Sequence, residues 1–451
     1  MSGGSARGRD RRVYLRSHPV LFALLAATRR WPALRLGGTV LVHEREAFRA
    51  ALTRVPLDRT AAGTTGGAAG ELGGAGALFD QQGDEHRDAR RETAAMLGTA
   101  AVAKLRPVWA KLLDDRLPVL GAGGTVDLVP LTAEIAGATA AALLELDVDP
   151  VRLADVARSS AAAAARAHLP GLGGRRAQRS ASRAADQLLD LVAPHGSDSE
   201  SGSAWQSGAG SGSESGSDSK PGAGAGSKPG SDAGAGSDAG SDPGAGSDPG
   251  TGSDPGSDPG AGSDPGSGAG SDPGSVEAAF GCARDSAVRP ADAGLNAMLA
   301  VAAINTTVAA LPRAVAWVCD DRLWEHAESP VLVDELFRVV APTPLLPRVA
   351  ATDAEVGGCP VKSGDRLLLI ARHAADAHRR DPSVDDPAPA RTAQLVFGVG
   401  SHACPGAGLA RAQLADLLAA LAPYRPVVVR ARADGRAALP GWRSLIVRGT
   451  S

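Results

Sequence analysis

The segment FGVGSHACPGAGLAR, which begins at Phe397, places Cys404 among glycines and just before an apolar stretch with helical periodicity. Gly400 and Gly406 allow the backbone to lie close to a flat ligand. Pro405 suits the first position of a helix, where its missing N–H costs no hydrogen bond. The start of that helix would favour a thiolate. These residues are compatible with a catalytic or metal-ligating thiolate, and equally with a small cysteine buried in the core.

The order Phe397, Gly400, His402, Cys404, Gly406 matches the pattern Phe-x-x-Gly-x-Arg/His-x-Cys-x-Gly. The segment thus resembles the haem-binding signature of the cytochrome P450 superfamily, in which a cysteine thiolate binds the haem iron and pushes electron density that favours O–O cleavage. The resemblance implies that Cys404 is the axial ligand of the iron in haem b (iron protoporphyrin IX). It also implies that Phe397 packs near the sulfur and that His402 faces a haem propionate.

Two charged residues in the segment DELFRVV, Glu335 and Arg338, have a spacing that puts both on one face of a helix. By itself this pattern is typical of a surface salt bridge. It also resembles the family's Glu-x-x-Arg motif, which implies a structural, charge-assisted pair. Arg391, further along the chain, is expected to complete the interaction with this pair.

Three further basic residues resemble the family's ligands for the haem propionates. Arg348 begins a segment that reads as strand, turn and strand, and His86 and Arg90 stand four positions apart in the predicted helix EHRDARRETAAML. A histidine and an arginine on one helix face mean little singly. The resemblance rests on the order in which all these motifs follow one another.

The segment AAINTTVAA, which begins at Ala302, resembles the family's oxygen-activating helix. Thr306 would sit beside bound dioxygen and stabilise it through its hydroxyl and a water. Asn305 stands where the acid usually is, and an amide holds water but does not exchange a proton as a carboxylate does. The alternative is that both are mid-helix polar side chains that bond back to carbonyls. Pro312 is expected to interrupt or kink this helix.

The composition is that of a globular protein, because 43% of the 451 residues are hydrophobic, enough for at least one large core. The four cysteines lie far apart without a CxxC pair, and no secretory leader is visible, so we expect a cytoplasmic protein without a disulfide framework. The early apolar run PVLFALLAA is too short to span a bilayer. The longer run from Leu295 to Val318 contains Pro312 and Arg313, which favours a buried helix over a membrane anchor.

Residues 196–275 consist almost wholly of Gly, Ser, Ala, Asp and Pro, with Trp205 as the single large apolar residue. Such a segment cannot bury enough surface to offset its ordering entropy. We therefore expect a disordered insertion at 196–275 within a single haem-thiolate monooxygenase domain formed by 1–195 and 276–451. The insertion has twelve acidic and two basic residues, which leaves 45 basic and 38 acidic residues elsewhere, a net charge of +7.

The regular elements that must position these motifs are mainly helical. The segment VYLRSHPVLFALLAATRRW predicts a first helix, LRLGGTVLVH a hairpin around Gly37 and Gly38, and EREAFRAAL another helix. Residues from Leu346 to Ile370 predict short strands, and a last helix begins just beyond Cys404. We expect a mainly α (α+β) fold, and the resemblance specifies the cytochrome P450 fold, a helical prism with a smaller β-rich lobe.

The resemblance implies a soluble bacterial monooxygenase that inserts one oxygen atom from dioxygen into an apolar small molecule, by hydroxylation or epoxidation in secondary metabolism. Two electrons from NAD(P)H would arrive through a ferredoxin and its reductase, since no flavin or Fe–S domain is fused here. The mild positive charge outside the insertion suits an acidic ferredoxin docking on the Cys404 side. Neither a nucleic acid nor a membrane is an expected partner.

Three alternatives remain at the level of sequence. Asn305 favours a peroxide-using or rearranging haem-thiolate enzyme. Together with Pro312 and the long insertion, it also suggests a catalytically silent haem-binding partner protein. A zinc site formed by His402, Cys404 and either His373 or His378 lacks the paired ligand spacing of such sites.

Overall fold

The structure is a computed structural model, and it describes residues 6–58, 60–61, 64, 95–168, 174–193, 290–400 and 403–450. The predicted insertion at 196–275 and the predicted helix around His86 and Arg90 lie outside the described residues. The described residues up to position 193 and those from position 290 onward contact one another as one compact unit.

Helices form most of the described chain, in agreement with the predicted fold class. They are α1 (Ala6–Ser17), α2 (Pro19–Thr28), α3 (Arg45–Thr53), α4 (Thr99–Arg116), α5 (Leu128–Leu143), α6 (Pro150–His168), α7 (Arg175–Val192), α8 (Pro290–Asp321), α9 (Pro330–Val340), α10 (Ala371–Ala374), α11 (Ala390–Ala393) and α12 (Ala407–Leu421). Short 3-10 turns cover Pro118–Leu120, Leu323–His326, Gln394–Phe397 and Ala422–Tyr424.

The predicted first helix is divided into α1 and α2 at His18, and Pro19 is the first residue of α2. A residue before proline is biased away from the helical region, and His18 has φ −143° and ψ 79°. The break lets the two helices take different directions, and Tyr14 of α1 contacts Phe22 of α2 with ring centroids 5.1 Å apart.

The long helix α8 extends the predicted helix in both directions and packs against α5, α6, α7, α9 and α12. The expectation that Pro312 interrupts it is wrong, because the helix continues to Asp321. Contacts around the proline compensate for the lost hydrogen bond, since Leu311 and Arg313 are both about 1% exposed and tertiary packing supplies most of a helix's stability.

By length and composition, residues 293–321 form the one helix in the described ranges that would reach across a bilayer. More than half of its most apolar part is buried inside the protein. Its residue Arg313 forms a buried ion pair with Asp10. These contacts are those of a core helix of a folded domain.

The β-rich lobe is a five-stranded sheet with the order β1-β2-β8-β5-β3. Its strands are β1 (Ala33–Leu36), β2 (Thr39–Val42), β3 (Leu57–Asp58), β5 (Leu346–Ala350) and β8 (Arg366–Leu369), and a two-stranded hairpin of β6 (Ala354–Val356) and β7 (Cys359–Val361) lies between β5 and β8 in sequence. The predicted hairpin at Gly37 and the predicted strands from Leu346 are confirmed. Strand β2 runs parallel to β8, so residues from both ends of the chain share this sheet.

A second sheet, β4-β10-β9, was not predicted. It contains β4 (Thr125–Asp127), β9 (Val427–Asp434) and β10 (Gly441–Arg448), with β10 antiparallel to both neighbours. Its buried residues Leu445 and Val447 join the core of the helices. The five-stranded sheet has a separate core that includes Val40, Phe48 and Leu367.

Candidate functional site

The backbone before Cys404 makes a tight loop that returns on itself. Gly398 has φ +76° and Gly400 has φ +62°, a region that glycine occupies without steric penalty. The N–H of Cys404 donates to the carbonyl of Phe397 at 2.6 Å. This bond holds Cys404 next to Phe397, the last residue of the preceding 3-10 turn. Gly406 follows two residues later, and α12 begins at Ala407.

Cys404 differs from the other described cysteines. Its side chain is exposed, whereas Cys319 and Cys359 are buried, and none of these three forms a disulfide. Burial raises the pKa of the Cys319 thiol, with the carboxylate of Asp320 as a second cause. A thiol ligates metal as the thiolate, so of the cysteines that the structure describes Cys404 is the one placed to act as a ligand.

Aromatic and charged contacts fix Phe397 beside this loop. Its ring centroid lies 5.1 Å from that of Phe337 on α9, and the Arg411 guanidinium lies 4.6 Å from the same ring. The Nε of Arg411 donates to Asp334 Oδ1 at 2.6 Å. Helices α9 and α12 therefore hold the two ends of the cysteine loop in register.

Gly406 borders the thiol. A Cβ atom at this position would lie 3.9 Å from Cys404 Sγ and 3.9 Å from Leu97, both ordinary van der Waals distances. A side chain at position 406 would therefore cover one side of the sulfur. The glycine keeps that side open.

Glu335 and Arg338 form the pair that their spacing predicts, and the structure shows that the pair is buried. Arg338 Nε donates to Glu335 Oε1 at 2.8 Å, and Nη2 donates to Oε2 at 2.6 Å. The two side chains are 0% and 2% exposed. Removing one partner of such a buried bidentate pair costs far more than breaking a surface bridge, because it leaves an uncompensated charge in the core.

The remaining donors and acceptors of the pair bond to the backbone of the segment after α10. Arg338 donates to the carbonyls of Ala375, Arg380 and Asp381 at 3.1 to 3.4 Å. The N–H groups of Ser383 and Ala388 donate to the carboxylate of Glu335 at 3.3 and 3.1 Å. The pair thus anchors a stretch of chain that has little regular structure of its own.

The expectation for Arg391 needs correction. Its side chain is exposed on α11, and within the described chain Glu335 takes its ion pair from Arg338. The backbone groups of Ser383 and Ala388 supply the contacts expected from a third side chain. Backbone amides satisfy a carboxylate without burying a second guanidinium.

The expected propionate ligands fall partly outside the described chain. Arg348 is half-buried in β5, opposite Leu367 of β8, and its Nη1 donates to the Pro347 carbonyl at 2.8 Å. The predictions for His86, Arg90 and His402 lie outside the described residues.

On α8, Thr306 and Asn305 have different surroundings. Thr306 is half-buried and its hydroxyl donates to the carbonyl of Ala302 at 2.7 Å, and Ala302 itself is exposed in the middle of this core helix. Asn305 Nδ2 donates to Val301 O at 2.8 Å and to Ala157 O of α6 at 3.4 Å. Both polar side chains bond back to helix carbonyls, and the amide also links α8 to α6.

These features fit a flat, metal-containing cofactor. The exposed Cys404 thiol at a helix start offers a ligand, the glycine loop leaves room for close approach, and the accessible small residue Ala302 on α8 leaves space on the central helix. The zinc alternative finds no support, since the described residues contain no group of three His, Cys, Asp or Glu side chains that could hold a metal ion. His373 instead contacts His43, with their Nδ1 atoms 2.8 Å apart.

The sequence reasoning missed a second buried network. Asp10 of α1 accepts hydrogen bonds from Arg313 Nε and Nη2 at 3.0 and 2.6 Å and from Arg372 Nη1 at 3.0 Å. Both guanidinium groups lie over the ring of Tyr14, at 4.5 and 4.0 Å. The signal in the sequence was Arg313, a charge within the apolar segment that became α8.

Comparison with known proteins finds sequence similarity over part of the chain and similarity of fold over nearly all of it. No protein-family model matches the chain. A putative cytochrome P450 140 of Mycobacterium tuberculosis is 32% identical over 167 residues, which are 33% of this chain and 37% of the relative. Luteothin monooxygenase of Streptomyces thioluteus is 38% identical over 105 residues, 21% of this chain and 24% of that protein. The matched region thus spans about a third of the length of the first of these relatives.

The fold comparison extends further than the sequence comparison. The structure of CYP109E1 from Bacillus megaterium in complex with testosterone superposes with a TM-score of 0.62 at 15% identity, and the match covers 97% of this chain and 100% of the other. The described helices and sheets therefore have the arrangement of the cytochrome P450 fold, as the sequence predicted.

Proposed function

We propose that the chain is a member of the cytochrome P450 superfamily and a haem-dependent monooxygenase acting on an apolar small molecule. The reaction inserts one oxygen atom from dioxygen, by hydroxylation or epoxidation. One observation carries the proposal: Cys404 is exposed at the start of α12 and held by its N–H bond to Phe397, where a thiolate can bind iron.

Haem, when bound, supplies the iron that activates dioxygen. In the proposal this group is haem b, and Cys404 would ligate its iron, with Phe397 and Gly406 beside the sulfur and Gly400 bending the loop. Arg348, His86, Arg90 and His402 would hold the propionates by charge-assisted hydrogen bonds.

On α8, Thr306 would hold a proton at its hydroxyl. That hydroxyl donates to Ala302 O at 2.7 Å, which fixes its rotamer and leaves its oxygen able to accept a hydrogen bond from water. Asn305 is a positioning residue in this scheme, because its amide links α8 to α6. Proton delivery then depends on water rather than on a side-chain acid.

The partners and setting are part of the same proposal. Electrons come from NAD(P)H through a ferredoxin and its reductase in the cytoplasm, and the Gly/Ser/Asp/Pro-rich segment 196–275 is a disordered insertion in one domain of residues 1–195 and 276–451. Secondary metabolism is the proposed setting, supported by the similarity to luteothin monooxygenase.

The absorption spectrum of the reduced protein with carbon monoxide tests the assignment. We expect the strongly red-shifted Soret band of a thiolate-ligated haem, and we expect Cys404→Ala to lose it. Cys359→Ala is the matched control, because this buried cysteine lies in the β6–β7 hairpin. Haem-loaded protein that lacks the band, or a band that survives in Cys404→Ala, would overturn the proposal.

A second candidate is a peroxide-using or rearranging haem-thiolate enzyme. It is favoured by Asn305, an amide at the position of the usual acid whose Nδ2 is held by Val301 and Ala157 carbonyls. Turnover with hydrogen peroxide, combined with no NAD(P)H consumption when ferredoxin and reductase are supplied, would select it. Coupled NAD(P)H consumption and product formation would select the monooxygenase, and a haem-loaded protein inactive under both conditions would indicate a silent binding protein.

A further inference from the structure

A groove of about 380 Å³ is lined by residues of helix α1 and of the β9–β10 hairpin. We name it the arginine groove. Its side chains are those of Arg9, Arg12, Arg16, Arg432, Arg443 and Trp442, with Ala431 and Ala433 between them. None of these residues belongs to the site around Cys404.

Local structure brings these arginines to one place. Arg9, Arg12 and Arg16 are three and four positions apart on α1, so they share one face of that helix. In a regular strand Trp442 and Arg443 would point to opposite faces. A β-bulge between Trp442 and Ser444 leaves Arg443 as an extra residue, and both residues line the groove. Bulges commonly re-aim side chains in this way.

The charge in the groove is largely uncompensated. Arg9 makes a bidentate pair with Asp320, at 2.6 and 3.1 Å. Within the described chain, Arg12, Arg16, Arg432 and Arg443 are exposed and have neither a carboxylate partner nor a side-chain hydrogen bond. The neighbouring acid Asp434 accepts the N–H of Arg436 at 2.8 Å and does not line the groove.

The indole of Trp442 forms one wall of the groove. This residue is 5% exposed and lines the groove, and its Nε1–H is buried from solvent and has no hydrogen-bond partner among the described residues. Because that atom is not accessible from the groove, the arginines supply the donors. Four guanidinium groups without a carboxylate partner in one concavity favour an acceptor with several negative oxygens.

We propose that the arginine groove binds a small molecule that carries a diphosphate or triphosphate group. Guanidinium groups match phosphate oxygens in bidentate fashion, and a chain of two or three phosphates offers enough oxygens for the four guanidinium groups without a carboxylate partner. The groove lies within the size range of small-molecule sites. This site is separate from the proposed oxygen chemistry and would regulate or tether the enzyme.

Titration calorimetry of the haem-loaded full chain with inorganic triphosphate at 0.15 M salt tests the proposal. We expect saturable binding with one site. Arg12→Gln combined with Arg443→Gln should weaken it at least about tenfold, because two ligands of the anion are lost. Trp442→Phe keeps an aromatic wall and removes an N–H that the groove does not reach, so it should change the affinity less than about twofold.

The matched control removes the same charge elsewhere on the same elements. Arg11→Gln combined with Arg448→Gln alters two exposed arginines of α1 and β10 that do not line the groove. We expect less than a twofold effect. Equal weakening in the two double variants would mean that only overall charge matters, and it would overturn the proposal, as would the absence of saturable binding.

Two further comparisons identify the ligand. ATP and inorganic triphosphate should bind with similar affinity if the phosphates carry recognition, whereas tighter binding of ATP would show that a nucleoside is the natural carrier. Both results support the site. A poly-glutamate peptide is the test for an acidic protein partner. If the peptide binds, the Arg12/Arg443 variant loses this binding, and triphosphate does not bind, the proposal is overturned in favour of such a partner. The carbon monoxide spectrum of each variant is measured separately, so a failed haem assignment and a failed anion site are distinguishable.

Discussion

Two buried arginine networks hold this molecule together, and they differ in how far apart their members lie in sequence. Glu335 and Arg338 are three residues apart on one helix. Asp10 and Arg313 are separated by 303 positions, and they join α1 to the central helix α8. Both pairs are bidentate or doubly bonded, and both are almost completely removed from solvent.

The comparison shows that burial determines the energetic weight of an ion pair, whereas sequence spacing determines whether it can be predicted. Glu335 and Arg338 stand at a spacing that places them together in any helix. Asp10 and Arg313 meet only after the whole domain has folded. In each network the loss of one partner leaves a charge in a medium that cannot solvate it.

The largest effect is expected from Arg338→Ala. This change leaves the buried Glu335 without its cation and leaves the carbonyls of Ala375, Arg380 and Asp381 without a donor. We expect a loss of about 5 kcal/mol in the free energy of unfolding, with loss of soluble, haem-loaded protein. Chemical denaturation and the haem content of the purified protein measure it.

A suitable control is Arg116→Ala, which breaks a long-range but exposed pair with Glu134. Its expected cost is less than about 1 kcal/mol. If Arg338→Ala were as mild as Arg116→Ala, the buried pair would not be the anchor that its contacts indicate.

The second-largest effect is expected in the network of Asp10, Arg313 and Arg372. Asp10→Ala leaves Arg313 and Arg372 unpaired, although Arg313 keeps the Pro440 carbonyl and Arg372 keeps the Val339 carbonyl. Because these contacts remain, as does the ring of Tyr14, we expect a smaller loss, about 3 kcal/mol in the free energy of unfolding. Denaturation curves of Asp10→Ala, Arg372→Ala and the double variant give the coupling energy.

A coupling energy near zero between Asp10 and Arg372 would show that Arg372 is not part of the long-range network. Equal stability of Asp10→Ala and the wild-type protein would show that the long-range network does not stabilise the fold. Tyr14→Phe provides a finer control, since it keeps the ring under both guanidinium groups and removes only the hydroxyl that donates to the Val340 carbonyl.

A cluster of three histidines also joins the N-terminal part of the chain to the C-terminal part. His43, at the end of β2, contacts His373 of α10, which contacts His378 with ring centroids 4.9 Å apart. Burial lowers the pKa of His43 and of His378 to about 4. For His378, the cations of Arg379, Arg29 and Arg372 add to this effect, and Asp376 opposes it. Burial, His378, His43, Arg372 and Arg29 lower the pKa of His373 to about 2.

These lowered pKa values make stability depend on pH. Between about pH 6.5 and 4, the unfolded chain binds protons at these histidines and the folded chain does not. The free energy of unfolding should therefore be constant above about pH 7 and fall as the pH is lowered below 6.5, by roughly 1 kcal/mol per pH unit for His43, which is 3% exposed.

Thermal unfolding from pH 7.5 to 4.5 measures this slope. His378→Leu should flatten it, because both ring nitrogens of His378 are buried without a partner among the described residues and an apolar side chain has no proton to bind. His326→Gln, outside the cluster, should leave the slope unchanged. An equal slope in the wild-type protein and His378→Leu would remove His378 from the explanation.

The difference between local contacts and contacts that form only on folding explains what the sequence could and could not predict. The helix of Glu335, the hairpin at Gly37 and the helix after Cys404 follow from local periodicity and turn residues, and they were predicted. The β9–β10 hairpin has a connection of six residues, 435–440, instead of a two-residue turn, and it was missed although Asp434 and Gly435 mark its start. The exposed position of Arg391 depends on backbone amides brought in by folding, which no local pattern encodes.

The smallest effect is expected for an exposed ion pair on one helix, and it gives the most direct comparison with the buried pair of Glu335 and Arg338. Lys111 and Asp115 are four residues apart on α4 and form an ion pair at 3.1 Å, with side chains 77% and 56% exposed. Their spacing is as local as that of Glu335 and Arg338. We expect Asp115→Ala to change the free energy of unfolding by less than about 0.5 kcal/mol, and high salt to abolish the difference. Because the two pairs share helical spacing and differ in burial, a cost for Asp115→Ala close to that of Arg338→Ala would show that spacing, rather than burial, sets the strength of these pairs.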